Sequence, residues 1–163
     1  MAETPLAITL IRRIHLSVRQ ELNDELQRAG YADLTLAHIY VFQSPGPDGR
    51  RPTELAASTN MTKQAMNHLL VGLERGGYLT RAAAPGDGRA TVVSLTPKGR
   101  AVQKLLFDVS MRIEREWARR IGRKDITELR RLLVEVDQYS RDESTQNSLP
   151  SGSARTSKPM SSG

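Results

Sequence analysis

Residues Arg51–Thr96 read RPTELAASTNMTKQAMNHLLVGLERGGYLTRAAAPGDGRATVVSLT, and this stretch decides the fold. Pro52 suits the first position of a short helix, with Leu55 and Ala56 on its inward side. Asn60 follows at a turn, where asparagine tolerates the left-handed backbone. Thr62 is placed to cap a second helix. Met61 and Met66 flank it at the spacing of a hydrophobic staple. On that second helix Met66, Leu69, Leu70 and Leu73 share a core face, and Gly77 stops it. Tyr78 to Arg81 then alternates like a strand, Pro85 to Gly88 are turn residues, and Arg89 to Leu95 is a return strand. Helix, turn, helix and hairpin together predict a winged helix-turn-helix. The fold class is mainly α, an α+β winged helix.

The flanks predict long dimerisation helices at both ends. From about Pro5 to Ala29, apolar residues Leu6, Leu10, Ile11, Ile14, Val18, Leu22 and Leu26 recur at three and four, and Gly30 closes the helix. Thr35 caps a second helix of about ten residues holding Leu36, Ile39, Tyr40 and Phe42. The sequence SPGPDGRRP after it reads as loop. Beyond Thr96 a long helix runs from about Pro97 to Ile121. Gly122 ends it, and Asp125 with Glu128 has capping-box spacing to open a last helix to about Ser140. The apolar faces of the first and last helices are too long for one winged helix to cover and ask for a second subunit; an intramolecular bundle is the alternative. From Arg141 the composition turns to Ser, Gly, Pro and Thr, which predicts a disordered tail over 141–163. The expected organisation is one domain over 1–140: a DNA-binding winged helix at 33–98, dimerisation helices at 5–30 and 97–140, then the tail.

Composition narrows the function. The 163 residues contain no cysteine, which excludes disulfides, thiolate nucleophiles and Cys-ligated zinc. No apolar run approaches the length of a membrane helix and no signal peptide is visible, so a cytoplasmic protein with no membrane partner is expected. Net charge is +6, and 51–100 alone carries seven Lys/Arg against three Asp/Glu. The excess sits where counterion release from DNA would use it. An enzyme would need a nucleophile, an acid/base pair or a metal site. His15, His38 and His68 have no metal-ligand spacing with carboxylates, and no phosphate-binding glycine motif occurs. No catalytic residue, metal or cofactor is expected.

The chemistry of the second helix fits base reading. Gln64 and Asn67 are side-chain types that pair with adenine in the major groove, although on an exposed helix they are equally ordinary solvated residues. Lys63 near the helix N-terminus suits a phosphate. A basic residue at a hairpin tip suits a wing in the minor groove, and Asp87 is either a turn former or a brace for Arg89 or a neighbouring arginine.

These pieces resemble the MarR family of bacterial transcription regulators. The matching stretches are LTLAHIYVF, TELAASTNMTKQAMNHLLVGLERGGYLTR and GDGRATVVSLTPKG, in that order, within about residues 5–140. The resemblance implies a homodimer on a pseudo-palindromic double-stranded operator, usually as a repressor. By position it implies that Thr62, Lys63, Gln64, Asn67 and His68 face the major groove, that Arg89 faces the minor groove, and that Asp87 braces the wing. Arg51, also expected among the DNA-binding residues, takes the cap of the preceding helix, where the family usually has Ser or Thr. Ala84 and Gly88 also depart from the family's wing, where Asp and a polar residue are common. The resemblance further implies a small aromatic or anionic effector in a pocket between the first, second and fifth helices, for which His15, His38 and Tyr40 are the candidates. The competing reading is a winged helix used for protein contact or non-specific DNA architecture.

Overall fold

The computed structural model describes residues 4–43, 46–84 and 87–147, with backbone alone at 87–90 and 143–147. Its elements are α1 (Ala7–Arg28), α2 (Leu36–Phe42), α3 (Pro52–Ser58), α4 (Lys63–Arg75), β1 (Leu79–Ala84), β2 (Asp87–Leu95), α5 (Pro97–Ile121) and α6 (Arg123–Asn147). This is the mainly helical winged helix-turn-helix that the sequence predicts.

Local chemistry sets most boundaries as read. Thr62 Oγ1 accepts the Ala65 N–H at 3.1 Å, and Met66 beyond it is fully buried. Asn60 takes φ +53, the left-handed turn between α3 and α4. Gly77 takes φ +74, and Tyr78 N–H then returns to Leu73 C=O at 2.9 Å. That bond closes α4 in a Schellman-type cap and sends the chain straight into β1. Thr96 caps α5 through the Gly99 N–H at 3.1 Å. Gly99 packs on the Tyr78 carbonyl so closely that a Cβ there would overlap it.

β1 and β2 are antiparallel, paired from Leu79↔Leu95 to Ala83↔Thr91, with an irregularity between Ala83 and Ala84. Tyr78, Leu79, Val93 and Leu95 turn inward onto the core with Leu55, Met66, Leu70 and Leu73. Leu22 and Leu26 of α1, Ile39, Val41 and Phe42 of α2, and Val102, Leu106, Val109 and Ile113 of α5 are also buried.

Several expectations need correction. α1 starts at Ala7, after an extended Leu6, rather than at Pro5. α2 has 7 residues, not about ten, because Gln43 already turns to the extended region. The Pro/Gly stretch is loop over its described residues 46–51, as expected. Gly49 N–H donates to Val93 C=O at 2.7 Å and Val93 N–H to Arg50 C=O at 2.9 Å, so this segment lines the edge of β2. α6 begins at Arg123 immediately after Gly122, and Asp125 sits inside its first turn instead of capping it. There its charge still complements the helix dipole. α6 also continues through Arg141 to Asn147, where disorder was expected. No helix breaker occurs in RDESTQN, and Arg141 pairs back to Asp137 at 2.8 Å. The rest of the expected tail, 148–163, lies outside the described residues.

The chain divides into two compact units, Met1–Glu116 and Trp117–Gly163, so the break falls within α5 and not at the wing. In the second unit Ile126 is buried, while Leu132, Leu133, Val134, Val136 and Tyr139 of α6 stay exposed. In the first, Leu6 just before α1 and Ile8, Ile11, Ile14 and Leu16 within it are exposed. No helix of the described residues is long and apolar enough to cross a membrane.

Candidate nucleic-acid interface

α4 is amphipathic. Met66, Leu70 and Leu73 are buried, and Lys63, Gln64, Asn67 and His68 are exposed. The capped N-terminus at Thr62 holds the first turn, where the free N–H groups and Lys63 stand together. Gln64 and His68 line one side of a shallow cavity of about 560 Å³ with Ala37, Met61 and Leu69. Asn67 is not a free polar residue: its Oδ1 accepts Arg81 Nη1 at 2.9 Å. Arg51 is the N-cap of α3, as expected by position. A guanidinium cannot accept a hydrogen bond, so its side chain does not substitute for Ser or Thr there. The cap is half made, from Arg51 N–H to Glu54 Oε2 at 3.1 Å. Asp87 and Arg89 both lie in β2, but their side chains fall outside those described.

The residues that hold this face were not found from the sequence. Arg81 on β1 reaches Glu74 Oε2 through Nε and Nη2, at 2.9 and 2.7 Å, as well as Asn67. Asp48 receives the Leu95 N–H at 2.9 Å and Arg100 Nη1 at 2.7 Å, and these donors hold its carboxyl below the usual carboxylate range. Lys98 Nζ donates to Gly76 C=O at 2.8 Å, satisfying an end carbonyl of α4. Tyr78 donates to Asp33 at 2.5 Å. Burial pushes its phenol above the ordinary range, with the Asp33 acceptor and its charge adding to the effect. Arg112 of α5 pairs with Glu25 and lies 3.4 Å from Glu21 on α1.

The three effector candidates separate. His15 Nε2 lies 3.4 Å from Tyr40 Oη, their rings stack with centroids 6.5 Å apart, and Arg19 lies 4.6 Å over the Tyr40 ring. His38 is two residues from Tyr40 on α2 and therefore faces elsewhere. Its Nδ1 accepts the Thr35 N–H at 3.0 Å, with the Thr35 hydroxyl at 3.1 Å. Burial lowers the His38 pKa, the Asp33 charge opposes this, and His68 adds to the lowering. A larger hollow of about 700 Å³ is lined by other residues, among them Leu22, Phe42, Arg100, Gln103, Lys104 and Phe107.

A model of the MarR family matches residues 32–90. The HTH-type transcriptional repressor Rv2887 of Mycobacterium tuberculosis (strain ATCC 25618 / H37Rv) is 35% identical over 99 residues, spanning 58% of this chain and 67% of that protein. This chain belongs to the MarR family. It is a DNA-binding transcription regulator of the repressor type, in a family of regulators and not of enzymes. Among solved MarR structures, M. tuberculosis Rv2887 in complex with salicylic acid is 29% identical, with a TM-score of 0.60 over 83% of this chain and 99% of that one. The transcriptional repressor CouR bound to a 23-mer DNA duplex is 23% identical, with a TM-score of 0.63 over 81% and 92%. At that identity the likeness is one of fold.

Proposed function

We propose that this MarR protein is a ligand-responsive repressor that binds a pseudo-palindromic operator as a homodimer. The observation that carries the reading is α4 itself. A capped helix buries one face under the wing and leaves Lys63, Gln64, Asn67 and His68 outward. Such a helix fits the major groove with its N-terminal residues toward base edges. Thr62 and Lys63 hold phosphate at the helix N-terminus, and Gln64, Asn67 and His68 meet bases. Arg89 on the wing enters the minor groove, braced by Asp87, and Arg51 contacts the backbone.

Dimerisation is supported by apolar residues left in solvent. At the start of α1, Leu6 of the N-cap is 73% and Ile8 69% exposed, and on α6 Tyr139 is 63% exposed. Full burial of a Leu or Ile side chain contributes about 1.5–3 kcal/mol, so covering these faces favours a second copy. The working organisation is a winged helix at 33–98 flanked by dimerisation helices at 5–30 and 97–140. Two half-sites would then lie about 34–36 Å apart, one turn of DNA.

For the effector, the salicylic acid complex of Rv2887 supports a small aromatic anion. His15, Tyr40 and Arg19 offer a ring, a donor and a cation within one cluster, while His38 serves α2 instead. Such a ligand relieves repression only by binding the non-operator conformation more tightly.

Selection of bound duplexes from a random pool, followed by sedimentation of the complex, tests the whole reading. An inverted repeat occupied by two chains is expected. A monomer on DNA of no recurrent sequence would reject it.

A further inference from the structure

One arginine joins the wing to the recognition helix. Arg81, with 23% of its side chain exposed, places Nε and Nη2 on a single oxygen of Glu74 and gives Nη1 to Asn67 Oδ1 at 2.9 Å. Asn67 and Glu74 are two helical turns apart and share the face of α4 that meets β1. A guanidinium carries only donors. The Asn67 atom that faces it is therefore the carbonyl oxygen, which fixes the orientation of the amide. The other end of the amide is the NH₂ group, with two donors.

We propose that Arg81 is a specificity-positioning residue: it turns the Asn67 carbonyl toward the wing, so that Asn67 offers donors to the major groove. The proposal rests on α4 being the recognition helix. An unrestrained asparagine reads adenine bidentately, accepting from N6 and donating to N7. With its oxygen drawn back to Arg81, Asn67 reads acceptors instead, such as N7 and O6 of guanine or O4 of thymine. Arg81 does this without touching DNA. The Glu74 carboxylate holds the guanidinium in place and balances its charge, so the orientation is set before DNA arrives.

The test uses the full chain and a random duplex pool, with competition binding ranking all four bases at each selected position. Four variants are compared: Asn67→Ala, Arg81→Gln, Arg81→Met and Arg81→Lys. Glutamine offers both a donor and an acceptor and methionine offers neither, so neither fixes the amide; lysine offers donors only. The wild type should favour an acceptor-bearing base by about tenfold at one position per half-site. Asn67→Ala should flatten that position alone. Arg81→Gln and Arg81→Met should bring the preference to within about twofold or move it to adenine, leaving other positions unchanged, while Arg81→Lys retains it. In the Asn67→Ala background, Arg81→Gln should change nothing further at that position. Thermal melting confirms folding, and either releasing variant suffices for the comparison. If both leave the Asn67 position intact, or weaken every position uniformly, Arg81 only stiffens the wing and the proposal is overturned. If Asn67→Ala flattens no position, base reading by Asn67 has failed and the proposal falls with it.

Discussion

Tyr78 donates its hydroxyl to Asp33 across 2.5 Å, joining the exit of α4 to the loop between α1 and α2. The Tyr78 ring is buried, packs edge-on to Phe42 and carries the Lys98 ammonium 4.0 Å from its centroid. One residue thus holds the end of α4 to the part of the chain on which α1 and α2 pack.

Replacing Tyr78 with Phe keeps the packing and removes the bond. A loss of about 1–2 kcal/mol is expected in denaturant unfolding. Because the folded state raises the phenol pKa, the native chain holds that proton more tightly than the unfolded one. Stability from this group is full below the unfolded phenol pKa of about 10 and falls as pH rises past it. Tyr78→Phe should lose less stability between pH 9 and 11 (roughly the phenol range) than the wild type does. Equal alkaline losses would mean that Tyr78 does not set this dependence.

His38 predicts the opposite limb. Its Nδ1 must be unprotonated to accept the Thr35 N–H, and burial lowers its pKa. Asp33 opposes the lowering, His68 adds to it, and Arg75 lines the same hollow. With the folded pKa below the unfolded value of about 6.5, stability from this group is full above that value and lost as pH falls through the folded pKa. His38→Gln retains an acceptor that does not titrate. The variant should show a flatter melting temperature between pH 7 and 5 (roughly the histidine range), and parallel curves would count against the cap.

Asn60 takes φ +53 between α3 and α4. Asn60→Gly should be neutral to within a few tenths of a kcal/mol, and Asn60→Ala should cost about 1 kcal/mol in thermal unfolding, since a Cβ without a polar side chain disfavours this region. A harmless Asn60→Val would show that the turn is not held left-handed in solution.

Gln64 and Arg89 should fail in different ways. Gln64→Ala should cost about 1–3 kcal/mol of discrimination at particular base pairs and little elsewhere. Arg89→Ala should weaken all duplexes together and reduce the salt slope by about 1. Identical behaviour of the two variants in a salt titration against operator point mutants would reject this division between base reading and backbone binding.

The sequence made the winged helix legible because its signals are local. Thr62 as a cap, Asn60 at a turn, Gly77 as a stop and the alternation in β1 and β2 each act within a few residues. The bonds that hold the reading face were not legible. Arg81 with Asn67, Asp48 with Leu95 and Tyr78 with Asp33 join residues 14, 47 and 45 positions apart, which no periodicity announces. The end of α6 was misplaced for a related reason. Polar composition suggested disorder at Arg141, yet nothing in the next residues stops a helix already under way. The effector candidates rest on the resemblance and its implied pocket, which carry no information on local caps such as the one His38 makes for its own helix.

Competition binding measures the central claim most directly. The full chain is bound to its selected operator at about 150 mM salt and displaced by unlabelled operator or by a duplex of the same composition in scrambled order. The account predicts that operator competes better by a factor of about 10³ or more. Equal competition by both duplexes would contradict it.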